Sequence, residues 1–180
     1  MVAGAVELLR DQGADFALLV CEPALIAFST ATSEAAYPGM LEGLQRFGAP
    51  RKIVSFVLPL GYSFNLDGST MYTTFAALFI AQAYGIHLTL GQQMLMMAIL
   101  MITSKGIAGV PRASLVVIMA VLPYFHIPLE GIALVLGVDH LLDMGRSATN
   151  VVGNSVATAI VSKWEGQLSG PLTAEQKAAA

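Results

Sequence analysis

Over residues 134–161 an apolar background is broken by Asp139, Asp143, Arg146, Asn150 and Asn154, at steps of four, three, four and four. A 3.6-residue period puts all five on one stripe of a helix, and the opposite face reads Leu, Val, Ala and Ile. Acid, base and amide on one side with hydrocarbon on the other predict an amphipathic helix with lipid behind it and a polar ligand in front. Asp143 and Arg146, one turn apart, are the candidate binding pair, because ionised side chains at membrane depth are costly and mark functional sites. A structural ion pair within one helix is the plainer reading. The two are compatible, since the pair would also form in an empty site.

The other apolar runs are short. A spanning helix needs about 20 apolar residues, yet residues 16–28, 36–44, 92–103 and 114–125 each fall below that length. They come in pairs around small polar turns, Ser29-Thr30-Ala31-Thr32-Ser33-Glu34 in the first and Thr103-Ser104-Lys105-Gly106-Ile107-Ala108-Gly109-Val110-Pro111 in the second. Two half-length helices joined at a small-residue tip predict a re-entrant hairpin, and Pro111 suits the first turn of a returning helix. Between the hairpins, residues 53–84 are long enough to span but carry Gly61, Asn65, Asp67 and Gly68 at their centre. These are poor helix formers, so the segment reads as a broken helix with unwound backbone from Gly61 to Ser69. Carbonyls exposed at that depth must line a cavity, with cations as the natural occupants.

The expected architecture is thus an all-α membrane protein. Its parts are a lead-in (1–15), re-entrant hairpin 1 (16–46), a broken transmembrane helix (50–84), re-entrant hairpin 2 (91–125), a last transmembrane helix (129–165) and a polar tail (166–180). Composition agrees: charged residues are 12% of the chain, against roughly 25% in soluble domains, and the mean hydropathy is +0.69. The net charge of −3 comes without a basic cluster, so nucleic acid is not an expected partner. Cys21 is the sole cysteine, which excludes an internal disulfide and a multi-cysteine metal site. Arg46, Arg51, Lys52 and Lys163 mark cytoplasmic ends, whereas residues 85–91 and 127–138 hold no Lys or Arg. Hairpin 1 then opens inward and hairpin 2 outward, an inverted repeat with tips converging near the midplane.

Four stretches carry a resemblance: the first tip ending in Ser33-Glu34, Phe64-Asn65-Leu66-Asp67-Gly68, Ser104-Lys105-Gly106-Ile107-Ala108-Gly109-Val110-Pro111, and Asp143-Met144-Gly145-Arg146 through Asn150. In these, and over residues 16–167, the chain resembles the dicarboxylate/amino acid:cation symporters, closest to bacterial glutamate/aspartate symporters. The resemblance implies a transport-domain core in the cytoplasmic membrane that moves L-glutamate or L-aspartate with Na+ or H+, without an enzyme cofactor. It implies that Arg146 pairs with the substrate's side-chain carboxylate and Asp143 with its amino group. The α-carboxylate would lie against Asn150, Ser33 and backbone N–H groups of the tips, and Ser69, Val110 and Ser147 fall at further substrate positions. Relatives that carry plain C4-dicarboxylates lack an acid at the Asp143 position, so an acid there favours amino acids.

For the coupling cations the resemblance implies three groups. Gly61, Asn65, Asn150 and Asn154 form one, Asp67 with Asn65 a second, and the carbonyls of Ser63, Leu66, Ser104, Lys105 and Ile107 a third. Position 154 is an acid in well-known sodium-coupled members and Asn here, as in proton-coupled bacterial ones. The glutamate that carries a proton in animal members falls at Thr73, leaving Glu34 and Asp67 as candidate proton carriers. Ala31 and Met144 stand where relatives place an arginine; Arg112, just after the second tip, reads either as a replacement for that charge or as a solvent-facing residue at the hairpin gate. Full-length members carry further helices before hairpin 1, including a scaffold that makes a homotrimer. Two readings of this chain follow, a symporter's C-terminal transport core or a truncated, non-transporting piece of one; a C4-dicarboxylate symporter is the alternative by substrate.

The remaining conspicuous residues carry less. His140 and Asp143 have a metal-like spacing but are only two ligands, and Ser114, His126 and Asp139 lack the nucleophile elbow of a hydrolase. Met94, Met96, Met97 and Met101 read as packing, and Lys163-Trp164 as an interfacial anchor.

Overall fold

Five helix ends among the described residues are set by one recurring device. At Gly48, Gly85 and Gly166 the backbone turns to positive φ (102°, 68° and 64°). In each case the following N–H reaches back to a carbonyl five residues earlier, as in Ala49 N to Leu44 O at 3.0 Å and Ile86 N to Ala81 O at 2.9 Å. This is the Schellman cap, for which glycine is the favoured residue because it has no Cβ to clash. Two further caps use residues that tolerate the geometry less well. Ala31 (φ 51°) and His126 (φ 56°) close helices with the same pair of bonds, at about 1 kcal/mol each for a left-handed non-glycine.

The structure, a computed structural model, describes residues 2–64, 67–104 and 113–169. All of these that are regular are helical. The order is α1 (Val2–Thr30), α2 (Tyr37–Arg46), α3 (Arg51–Phe64), α4 (Asp67–Ala83), α5 (Leu90–Thr103), α6 (Ala113–Val121) and α7 (Ile132–Trp164), with 3-10 turns at Glu34–Ala36, Leu122–Phe125 and Leu129–Gly131. α5 begins at a capping box, in which Thr89 Oγ1 accepts from Gln92 N and the Gln92 side chain accepts from Thr89 N.

Two differences from the sequence reading are local. The first apolar run lies within a 29-residue helix, α1, that starts at Val2 and contains Pro23. The interruption of the central helix is narrower than Gly61 to Ser69, because Gly61–Phe64 closes α3 and Asp67–Ser69 opens α4. Asn65 and Leu66 lie outside the described residues, as do the second tip from Lys105 to Arg112, including Ile107 and Val110, and the tail from 170.

α7, 33 residues and about 50 Å long, organises the rest. Its first half contributes Ile132 and Val135 to a core with α4, α5 and α6, built on Ile80, Met96, Leu100, Ile118 and Leu122. Its second half contributes Val151 and Ala159 to another core with α1, α2 and α3, built on Phe16, Met40, Phe47, Val54 and Leu58. The polar stripe faces inward: Asp139, Asp143, Asn150 and Asn154 are buried, while Leu134, Leu136, Val138, Leu141 and Leu142 are exposed. That is the reverse of a water-facing helix and suits a surface in hydrocarbon. Among the described residues, one helical stretch, Gly13–Thr30, is long and apolar enough to cross a membrane; Leu90–Thr103 and Ser114–Phe125 are apolar but shorter.

Candidate functional site

The N-terminus of α4 has free N–H groups that need acceptors, as every helix start does. They find one across the fold. Asn150 Oδ1 accepts from Gly68 N at 2.9 Å and Ser69 N at 3.4 Å, so a side chain of α7 caps α4 from 81 and 82 residues away. Close approach makes this possible: a Cβ on Gly68 would collide with the Arg146 carbonyl oxygen and stand 2.9 Å from Thr149 Cβ. Glycine is required there by space.

On this cap a charged network is built. Arg146 Nε donates to Asp143 Oδ1 at 2.6 Å, and Nη2 makes an ion pair with the same oxygen. Arg146 Nη1 donates to Ser69 Oγ at 3.1 Å, and Asn150 Nδ2 donates to it at 3.1 Å. Ser69 Oγ therefore accepts twice, and its own proton is left to donate. Asp143 and Arg146 side chains are 9% and 13% exposed, so their attraction is little screened and each is costly to leave alone. Both guanidinium contacts fall on Oδ1, which leaves Oδ2 as an acceptor for a cation. Ser147 is buried on the same face.

One turn earlier, Tyr72 donates to Asp139 Oδ1 at 2.5 Å, with both residues buried. The sequence reading put Asp139 in the stripe but gave Tyr72 no part. Its signal was available, for Tyr72 follows Ser69 by three residues and so lies on the same face of α4.

Of the predicted cation residues, Gly61, Ser63, Asp67, Ser104, Asn150 and Asn154 are described. Gly61 lies so close to Asn154 that a Cβ would collide with Asn154 Oδ1, which places this pair where α3 crosses α7. Ser63 is half-buried near the end of α3, and Asp67 is exposed in the first turn of α4, where a carboxylate suits the helix dipole. Ser104 is buried and donates to Met101 O at 3.0 Å within its own helix end. Ser33, at the first tip, is buried, and its carbonyl accepts from Tyr62 Oη at 2.7 Å. Beside Arg146, a groove of about 610 Å³ runs between α4 and α7, but Met71, Phe75, Val138 and Leu141 give it apolar walls. It is not the place for a zwitterion.

With an internal acid–base pair capped by amide and hydroxyl groups, this geometry can be set beside known proteins. Residues 3–164 match the model of the sodium:dicarboxylate symporter family. The chain belongs to that family. Over 143 residues it is 55% identical to the proton/sodium-glutamate symport protein of Geobacillus stearothermophilus, covering 79% of this chain and 34% of that protein. It is 55% identical over 141 residues to the proton/glutamate-aspartate symporter of Escherichia coli (strain K12), covering 78% and 32%. It is 47% identical over 148 residues to the C4-dicarboxylate transport protein of Agrobacterium fabrum, covering 82% and 33%. Sodium:dicarboxylate symporters are membrane transporters, not enzymes, and the chain spans about a third of the length of these relatives.

Proposed function

We propose that this chain is the substrate-binding core of a symporter for acidic amino acids, L-glutamate or L-aspartate, coupled to Na+ or H+ across the cytoplasmic membrane. Its fold is read as two re-entrant hairpins, a broken helix and an amphipathic last helix within a multi-pass homotrimer. The observation that carries the reading is the buried Asp143–Arg146 pair on the Ser69–Asn150 cap. A ligand entering there must replace one ion pair by two. An acidic amino acid does so, offering its ammonium to Asp143 and its side-chain carboxylate to the planar fork of Arg146. A dicarboxylate satisfies Arg146 and leaves Asp143 buried without a partner, which is strongly unfavourable.

The α-carboxylate is assigned to Asn150, the spare Ser69 proton, Ser33 and N–H groups of the tips, with Ser147 and Val110 completing the wall. For the coupling cation, transported as a substrate, the donors are Gly61 and Asn154 with Asn65 and Asn150, Asp67 with Asn65, and the carbonyls of Ser63, Leu66, Ser104, Lys105 and Ile107. All are oxygen donors, the kind hard cations take. The chain spans about a third of the relatives' length, and the alternative reading is a truncated piece that binds substrate without moving it.

Reconstitution with labelled aspartate separates these. Uptake driven by an imposed sodium or proton gradient supports the transporting core, and binding without uptake supports the second reading. Asp143→Ser should shift preference from aspartate toward succinate by about tenfold or more, since the ammonium loses its charged partner. Retention of the wild-type preference would remove the role assigned to Asp143.

A further inference from the structure

Bonds that fix the first tip are nearly all its own. Ala31 N reaches Phe28 O, Thr32 N reaches Ala27 O, Ala36 N reaches Ser33 O at 3.1 Å, and Thr32 Oγ1 donates to Glu34 Oε2 at 3.1 Å. These shape the turn but do not say where it stands relative to the rest of the molecule. One hydrogen bond does. Tyr62 of α3 donates its hydroxyl to the Ser33 carbonyl at 2.7 Å, across 29 residues of chain.

The surroundings of that hydroxyl are arranged around this bond. The Tyr62 ring packs edge-on against Tyr37, with centroids 5.6 Å apart, so its direction is set by aromatic contact. Met40 Sδ lies 3.2 Å from the hydroxyl, but a tyrosine has one proton to give and a carbonyl is the better acceptor than a thioether. The Ser33 carbonyl takes one bond from Ala36 within the turn and one from Tyr62 outside it, which uses both lone pairs. Tyr62 also follows Gly61, the residue pressed against Asn154 of α7. A single stretch of α3 backbone thus touches a candidate cation residue on one side and the substrate tip on the other.

We infer that Tyr62 is a positioning residue, whose hydroxyl fixes the first tip to α3 and so sets where Ser33 stands toward the substrate. The role of Ser33 rests on the function proposed above; the tie between tip and helix does not. The hydroxyl fixes register because a hydrogen bond is directional, whereas the Tyr37 and Met40 contacts would survive small shifts of the tip.

The test is hydrogen exchange of the chain in lipid nanodiscs, with Tyr62→Phe to keep the ring and its packing. Losing one net hydrogen bond predicts about fivefold faster exchange of the tip amides, residues 31–36, with residues 151–164 of α7 unchanged. Equal exchange at the tip overturns the proposal. So does faster exchange throughout or loss of helix content, since either makes Tyr62 a general packing residue. In the same preparation aspartate affinity should fall by about fivefold in Tyr62→Phe, and faster tip exchange with undiminished affinity would also overturn the positioning role. If the unsubstituted chain binds no acidic amino acid, the substrate reading fails, and the exchange result still decides the tie.

Discussion

Two stretches of α7, residues 139–150 and 155–162, carry buried polar residues at similar density and satisfy them in different ways. In residues 139–150 the partners lie on another helix or on an opposite charge: Asp139 with Tyr72, Asp143 with Arg146, Arg146 with Ser69, and Asn150 with Gly68 and Ser69. In residues 155–162 Ser155, Thr158 and Ser162 each donate to the carbonyl four residues earlier in α7 itself, at 2.8, 2.8 and 2.9 Å. A hydroxyl can satisfy itself on its own helix, and a small residue so satisfied lets a neighbouring helix approach. Carboxylate, guanidinium and carboxamide groups are too long or too charged for that, and must be met by something else. Buried polarity alone therefore does not identify a site; the choice of partner does.

The largest effect that would break this comparison belongs to Arg146. Arg146→Cys leaves Asp143 buried beside a neutral group, and aspartate affinity should fall by about 100-fold or more while small neutral amino acids gain, as read by competition binding. Unchanged preference for acidic ligands would place recognition elsewhere. Asn150→Ala comes next. It removes the acceptor of two α4 N–H groups and a donor to Ser69, and a loss of about tenfold in affinity is expected, with frayed exchange at residues 67–70. Smallest are Ser155→Ala and Ser162→Ala, each within about 0.5 kcal/mol in stability and neutral for binding. A change in affinity beyond about threefold at either would mean that residues 155–162 also act in ligand binding.

Much of this was legible beforehand because of period and composition. The stripe from Asp139 to Asn154 follows from spacing, and the all-helical class from the apolar runs. The end of α1 was less legible, since Ala31 in a left-handed conformation breaks the usual preference. The start of α5 was written as Thr89-Leu90-Gly91-Gln92, a capping box that apolar content alone placed two residues late.

By itself the sequence determined which residues carry charge, which face of α7 holds them, and which family the chain resembles, because these depend on residue type and a fixed helical period. Only the tertiary structure decided that Asn150 caps α4, that Gly68 admits the Arg146 backbone, that Tyr72 meets Asp139 and that Tyr62 holds Ser33. Each joins residues 29 to 82 positions apart. Helix periodicity orders neighbours within a few turns, and contacts between helices depend on how whole faces pack, which no local pattern encodes.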